Sequence, residues 1–361
     1  MMGKIDENAA HKPRFHLGYR PGLDGLRGFA VLWVIGFHYD LPLGRSGLFG
    51  VDIFFALSGF LITVLLLEEW QRSNQIRLKF FYLRRVLRLF PAIVLLLAVF
   101  FAVAPKVYVV STLFYFTNWI KALHLQPDSL YLDHVWSLSI EEQYYLFWPL
   151  FLLLLLRAKV SKPVLVLIPL ALGLTSAVAR ILVWNASQDW FRVYMGTDLH
   201  ADGLLLGSAL GVATVFGLLP DFNRWKRILN LLTGLTLLLA LWLLIDKNLT
   251  QSFIPLYGNL GVSIGTIVLI SRLVHAPAKL LAKIFCFPPL VKIGVISYGL
   301  YLWHAPIGVV IDQAALPWPA AAITAAKLAL TFLCAGASYM LVEKPILSFK
   351  DRFAASLPAR A

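Results

Sequence analysis

The sequence predicts an all-α, polytopic membrane protein of about ten transmembrane helices, and three observations lead there. Of its 361 residues 59% are hydrophobic and 14% charged, whereas a soluble domain holds about 45–50% apolar and roughly 25% charged residues. Mean hydropathy is +0.76. The apolar residues recur in blocks near the ~20 residues that one helix needs to cross the hydrocarbon core, and almost no segment alternates as barrel strands do. Basic residues, finally, return after every second block, which is the pattern of loops retained on the cytoplasmic side.

Taken in chain order, residues 1–20 are polar and lack an apolar run before a small-residue cleavage site, so a cytoplasmic tail is expected there and not a signal peptide. Candidate spans follow at 23–41, 47–68, 87–104, 140–156, 163–184, 200–218, 228–246, 253–272, 292–312 and 319–342. They place a membrane domain at 21–345 and a second cytoplasmic tail at 346–361. An even number of spans puts both termini on one side. Lys4, Lys12, Arg14 and Arg20 precede the first block, and Arg72, Arg77, Lys79, Arg84, Arg85 and Arg88 follow the second. Further groups stand at 157–162, 224–227 and 272–283, with Lys344, Lys350 and Arg352 at the end. The intervening loops hold only Arg45, Lys106, Lys121, Arg192 and Lys247, so both termini are expected in the cytoplasm. Between 105 and 139 the apolar piece from Val107 to Ile120 is too short to span and is expected at the outer face. No internal repeat, low-complexity linker or second soluble domain is visible.

The formal charge of +13 does not indicate nucleic acid, because the basic residues sit in short segments between apolar blocks. The two cysteines, Cys286 and Cys334, imply neither a disulfide framework nor a metal-ligand spacing. No metal is expected.

Ionisable residues inside such blocks are costly and point to function by default. Asp24, Arg27 and His38 lie at offsets of three and eleven in the first block, which projects them from roughly one side of a helix. Arg27 and His38 are then about 16 Å apart along the axis, Arg27 near the cytoplasm and His38 in the outer half. The plainer alternative is that Asp24 and Arg27 pair at the interface and that His38 is an interfacial structural histidine. Ahead of the third block, Arg84, Arg85 and Arg88 lie on an amphipathic segment. Their guanidinium groups suit phosphates through forked hydrogen bonds, although a membrane anchor bound to anionic lipid explains the same residues. Entering the fourth block, His134 leads into Trp136-Ser137-Leu138-Ser139-Ile140-Glu141-Glu142. Glu141 or Glu142 can orient or charge-balance a catalytic histidine, or simply favour a helix N-terminus. In the ninth block Tyr298, Tyr301 and His304 recur at three-residue spacing as a second inward stripe, where His304 alone reads as a hydrogen-bonded core histidine.

Together these stretches resemble the acyltransferase-3 family of membrane O-acyltransferases, which acylate O-antigen, exopolysaccharide, peptidoglycan, Nod factors and macrolides. The resemblance runs from Tyr19 to Pro345. Its pieces are Leu23 to Gly28 with His38 downstream, Gly50 to Thr63, the arginines around Arg85 and Arg88, His134 to Tyr145, Ser297 to Pro306, and Glu343-Lys344-Pro345. Their order and spacing are more specific than any one piece.

The resemblance implies acyl-CoA, usually acetyl-CoA, as donor and His38 as the essential catalytic residue, with Arg27 completing an arginine-to-histidine motif. It maps a paired-arginine motif onto Arg85 and Arg88 and a glutamate onto Glu141. It also implies a bacterial inner-membrane location, a carbohydrate or glycolipid acceptor reached from the outer face, and contact with membrane lipid. Many relatives carry an additional hydrolase-like domain that completes transfer to sugar, so a separate hydrolase-like partner protein is an expectation here. Arginine is common in the family where His200 stands, which departs from the pattern. The rival from another class is a transporter exporting a small polar solute, and an inactive scaffold is a third. Matching broken helices in two halves would favour transport and are not visible; His38, Arg27 and Glu141 argue against the scaffold.

Overall fold

A computed structural model describes residues 15–222, 224–245 and 250–348. Lys4, Lys12, Arg14, Lys247, Lys350 and Arg352, most of the first tail and nearly all of the second lie outside the described residues. Among the described residues the chain is helical throughout and holds no strand.

The helices are α1 (Pro21–His38), α2 (Gly50–Ser73), α3 (Leu78–Phe100), α4 (Lys106–Leu113), α5 (Thr117–Ala122), α6 (Trp136–Arg157), α7 (Lys162–Ser187) and α8 (Trp190–Met195). They continue with α9 (Thr197–His200), α10 (Asp202–Val215), α11 (Lys226–Ile245), α12 (Asn259–His275), α13 (Lys279–Phe285), α14 (Pro288–Val295), α15 (Ser297–Gln313) and α16 (Ala320–Ser338). Each predicted block therefore contains a helix. Five helical stretches are long and apolar enough to cross a membrane: Gly47–Ser73, Lys162–Ser187, Lys226–Ile245, Ile254–His275 and Ala320–Ser348. A sixth is possible if α14 and α15, bent by 73° at their junction, count as one span.

Local chemistry explains several boundaries. Pro21 opens α1 and Pro288 opens α14 at positions where the missing N–H has no helical partner to lose. Asn74 and Gln188 end α2 and α7 in left-handed conformations, with φ of 53° each, and their N–H groups return to Trp70 and Trp184. Asp189 caps α8 by accepting from the Arg192 N–H at 3.0 Å. The segment predicted to lie at the outer face folds as α4 and α5, pinned by buried Lys121 between Asp128 at 2.6 Å and Asp133 at 2.9 Å. The last helical stretch runs from Ala320 to Ser348.

The ninth block departs most from its expected shape. A single span over 292–312 crosses the bend at Ile296, where α14 ends and α15 begins. The cause is packing: Gly28 and Gly294 bring the backbones of α1 and α14 into direct contact, so α14 follows α1 while α15 turns into the bundle.

α2 and α10 form the centre. At Gly59 and Gly207 each helix lies against a backbone carbonyl of the other, Leu204 and Ala56 respectively, and no Cβ has room. Around this pair pack α1, α6, α7 and α12, whereas α11 and α16 present Leu231, Leu235, Leu238, Leu330 and Leu333 outward. An outward apolar face on a polytopic chain is the surface that lipid covers.

Gly207→Val is expected to destabilise the protein by about 1–3 kcal/mol or more, because the Ala56 carbonyl cannot move aside as a side chain can. Gly234→Ala, which meets nothing within 4 Å, is expected to be neutral or stabilising by up to about 1 kcal/mol. Thermal unfolding of purified protein in detergent checks both.

Candidate active site

Helix packing brings the separate sequence motifs to one cavity. Arg27 enters from α1, Ser58 from α2, and Arg85 and Arg88 from α3. α6 contributes Ser137, Glu141, Glu142 and Tyr145; α15 contributes Ser297, Tyr298 and Tyr301. Arg85 and Arg88 share a face because they are three residues apart on one helix. Both also border a groove between the end of α2 and the start of α3, lined in addition by Arg72, Arg77 and Arg84.

Inside the cavity Arg27 turns from Asp24 and donates through Nε to the Ser297 hydroxyl at 3.3 Å. The Arg85 guanidinium lies 3.5 Å from the Tyr145 ring centroid, a cation–π contact. Its Nε is buried without a hydrogen-bond partner among the described residues. Such an orphaned donor fits an anionic ligand, since buried N–H groups ordinarily find an acceptor. Glu141 accepts from the hydroxyls of Ser58 and Tyr145. Glu142 borders the same cavity and a second opening lined by Val86, Phe90, Phe114 and Leu146.

Three histidines pack beside this cavity. His38, at the last residue of α1, is exposed, whereas His134 and His304 are buried. His304 lies 4.8 Å from His38 and 5.3 Å from His134, centroid to centroid. Tyr301 joins the two groups: it lines the cavity, contacts the Ser137 hydroxyl at 2.6 Å and donates to the His134 carbonyl at 2.7 Å. Its ring is 5.4 Å from that of His304.

Hydrogen-bond partners assign the tautomers. His304 Nδ1 is 2.6 Å from the Tyr301 carbonyl, which can only accept, so Nδ1 carries the proton and Nε2 is an acceptor. His38 Nδ1 lies 3.0 Å from the Val34 carbonyl and 3.3 Å from His304 Nε2. Both are acceptors, so His38 carries its proton on Nδ1 and leaves the Nε2 lone pair free. An exposed imidazole held in that tautomer is the arrangement a general base needs.

The structure thus gathers Arg27, Arg85, Arg88, Glu141, Glu142, Tyr298 and Tyr301 in the cavity and His38, His134 and His304 beside it. Three expectations change. Glu141 does not orient His38, since its carboxylate is engaged by Ser58 and Tyr145; the nitrogen facing His38 belongs to His304. Arg84 leaves the cavity for the groove, where it is 3.9 Å from Glu69, because one residue's rotation separates it from Arg85. Asp24 lies outside the cavity, near Tyr19 at the start of α1. Ser58, Tyr115, Ser137, Tyr145 and Ser297 were not singled out as site residues, although all but Tyr115 lie in the stretches that carried the resemblance. Among the described residues no group of His, Cys, Asp and Glu is arranged to hold a metal ion.

A family model described as an acyltransferase domain matches residues 20–340. The chain is 37% identical over 360 residues to peptidoglycan O-acetyltransferase OatA of Listeria monocytogenes, covering 92% of this chain and 56% of that protein. It is 34% identical to the Bacillus subtilis protein called putative peptidoglycan O-acetyltransferase YrhL, over 93% of this chain and 56% of that one. It is 33% identical to O-acetyltransferase OatA of Staphylococcus aureus, over 95% and 59%. The chain therefore spans a little over half the length of these curated relatives. No solved structure matches.

Proposed function

The chain belongs to the acyltransferase-3 family, and from that premise we propose that it transfers an acyl group, acetyl as in the relatives' names, from cytoplasmic acyl-CoA to a hydroxyl of an extracytoplasmic carbohydrate. The observation that carries this reading is the pairing of an arginine-lined cavity with a tautomer-fixed histidine through Tyr301. Peptidoglycan, named for two of the relatives, is the first acceptor to test.

In this reading Arg85 and Arg88 hold the diphosphate of the donor, and Arg27, steadied by Ser297, completes the cationic wall. The thioester reaches past Tyr301 to His38. His38 Nε2 takes the proton of the acceptor hydroxyl as its oxygen attacks the thioester carbonyl. The C–O bond forms, the C–S bond breaks, and the departing thiolate takes the proton back from His38. His304 holds His38 in the reactive tautomer. Glu141 keeps Ser58 and Tyr145 in place and supplies negative charge to the arginine-rich cavity.

Delivery across the bilayer rests on the topology read from the basic loops: ten spans, both termini cytoplasmic, in a bacterial inner membrane. A helix in every predicted block supports it, five of the helical stretches being long and apolar enough to cross a membrane.

His38→Ala is expected to abolish transfer of labelled acetyl from acetyl-CoA to peptidoglycan fragments, assayed with and without a hydrolase-like protein, in a variant that still inserts. His304→Gln, which keeps an acceptor opposite His38, is expected to retain far more activity than His304→Leu, which loses about a hundredfold or more. Near-normal transfer by His38→Ala would end the mechanism. Arg85→Ala and Arg88→Ala are expected to raise the KM for acyl-CoA by about tenfold or more with little change in the acceptor KM. Arg84→Ala, outside the cavity, is expected to have a smaller effect; equal loss for both substrates in the Arg85 and Arg88 variants would contradict the donor assignment. For topology, Gln126→Cys and Ser161→Cys both create exposed thiols in a protein first freed of Cys286 and Cys334. An impermeant thiol reagent applied outside should label the first and spare the second; the reverse pattern would invert the protein.

A further inference from the structure

A second polar cluster lies deeper in the bundle, apart from the cavity. Asp52 on α2, Arg180 on α7, His200 at the end of α9, Asp202 at the start of α10 and Asn259 at the start of α12 are each no more than 1% exposed. Arg180 and Asp202 form a forked pair at 2.8 and 2.9 Å. Arg180 also donates to the carbonyls of Leu199 at 2.8 Å and Pro255 at 3.0 Å, the latter at the start of a wide helical turn ahead of α12.

The other half of the cluster can be counted proton by proton. His200 Nδ1 is 2.6 Å from the Tyr194 carbonyl, so it carries a hydrogen. His200 Nε2 is 3.0 Å from Asp52 Oδ1, a distance at which two bare lone pairs would repel, so one proton lies between them. The Asn259 amide nitrogen approaches both Asp52 oxygens, at 3.0 and 3.2 Å, and His200 Nε2 at 2.9 Å. Whichever atom holds the shared proton, the Asp52–His200 pair sums to zero, as the Arg180–Asp202 pair does. Two neutral pairs can exist among apolar helices where a net charge could not.

Neutrality explains tolerance but not purpose, because a well-packed apolar set of similar volume is often as stable as a buried ion pair or more so. What a buried hydrogen bond adds is direction. His200 stacks on Trp136, with centroids 5.8 Å apart and planes 23° apart, and meets the Phe55 ring edge-on at 5.4 Å. Phe55 lines the cavity, and so does Ser137, the residue after Trp136. The cluster therefore stands directly behind the wall made by α2 and the first turn of α6.

We propose that Asp52 and His200 are positioning residues for the transfer reaction: their contact fixes the register of α2 against α9 and α10 and, through Trp136, sets the start of α6, which carries Ser137 and Glu141. The role rests on the function proposed above. It predicts that the site loosens while the fold survives. The Asp52→Leu/His200→Phe/Asn259→Leu triple variant replaces the pair, and the amide that bonds only to it, by apolar side chains. Its melting temperature in detergent is expected to match or exceed that of the wild type, while kcat falls by about tenfold or more and the KM for acyl-CoA moves by less than about threefold. Hydrogen exchange over residues 133–145 is expected to speed up without a matching change in α11. Asp52→Asn, nearly isosteric, is expected to show the same pattern more weakly and serves if the triple variant does not insert. Unchanged kcat in a stable variant, or a fall in kcat that only tracks a lower melting temperature with uniform exchange, would overturn the proposal. If the wild-type protein itself transfers no acyl group, the function fails, and the exchange pattern over 133–145 still decides the positioning role.

Discussion

A buried polar group in this bundle has only other protein groups to pair with, and that constraint organises the molecule. Each unpaired amide, hydroxyl or charge in an apolar interior costs on the order of several kcal/mol, so polar residues spread over the sequence condense into few clusters. Two of them share α2. Asp52 belongs to the neutral cluster with His200, and Ser58, less than two turns further on, belongs to the cavity through Glu141. Because α2 meets α10 backbone to backbone at Gly59 and Gly207, a small rotation of α2 would disturb both clusters together. The glycine crossing and the polar pairs constrain the same degree of freedom.

Much of this was legible in the sequence, and what was not follows from geometry that a linear string does not hold. Every apolar block located helical chain because exclusion of charge over about 20 residues is a local property. The stretches carrying Arg27, Arg85, Arg88, Glu141, Tyr298 and Tyr301 pointed to function because ionisable and polar residues in or beside apolar blocks are costly, and the fold lines one cavity with them. The bend at Ile296 was not legible, since it depends on α14 following α1 through Gly28 and Gly294. Nor was the partner of His38: acid–histidine pairing is the common arrangement, and only the fold shows that His304 is nearer than Glu141. Arg180 is a different case. It interrupts an otherwise apolar block, the same signal that singled out Arg27, and its partner Asp202 lies 22 residues away.

The cavity and the histidines are chemically different compartments, and Tyr301 marks their boundary. On one side three arginines line the wall and Arg85 Nε has no hydrogen-bond partner among the described residues; that side suits a polyanion. On the other side the donors and acceptors of His304 and Tyr301 are matched to backbone carbonyls and to each other, and the exposed ring is that of His38. A phosphate-rich donor and a hydroxyl acceptor require such a division, because charge that holds the first would do nothing for the second. Tyr301 can belong to both because a phenol offers an apolar ring to His304 and a hydroxyl to Ser137 and His134.

The choice of an imidazole as the group behind His38 follows from the same constraint on charge. A carboxylate in the place of His304 would also accept the Nδ1 proton and fix the tautomer, as in many hydrolytic sites. It would bring a permanent negative charge into a position with no exposure at all, among the rings of Tyr301, Tyr39 and His134. A neutral imidazole supplies the acceptor without the charge. Its own orientation is fixed by the Tyr301 carbonyl at 2.6 Å and, through the backbone, by the Tyr39 hydroxyl donating to the His304 carbonyl at 2.6 Å. The carboxylate chemistry is displaced to Glu141, on the arginine side of Tyr301, where negative charge has cations to meet.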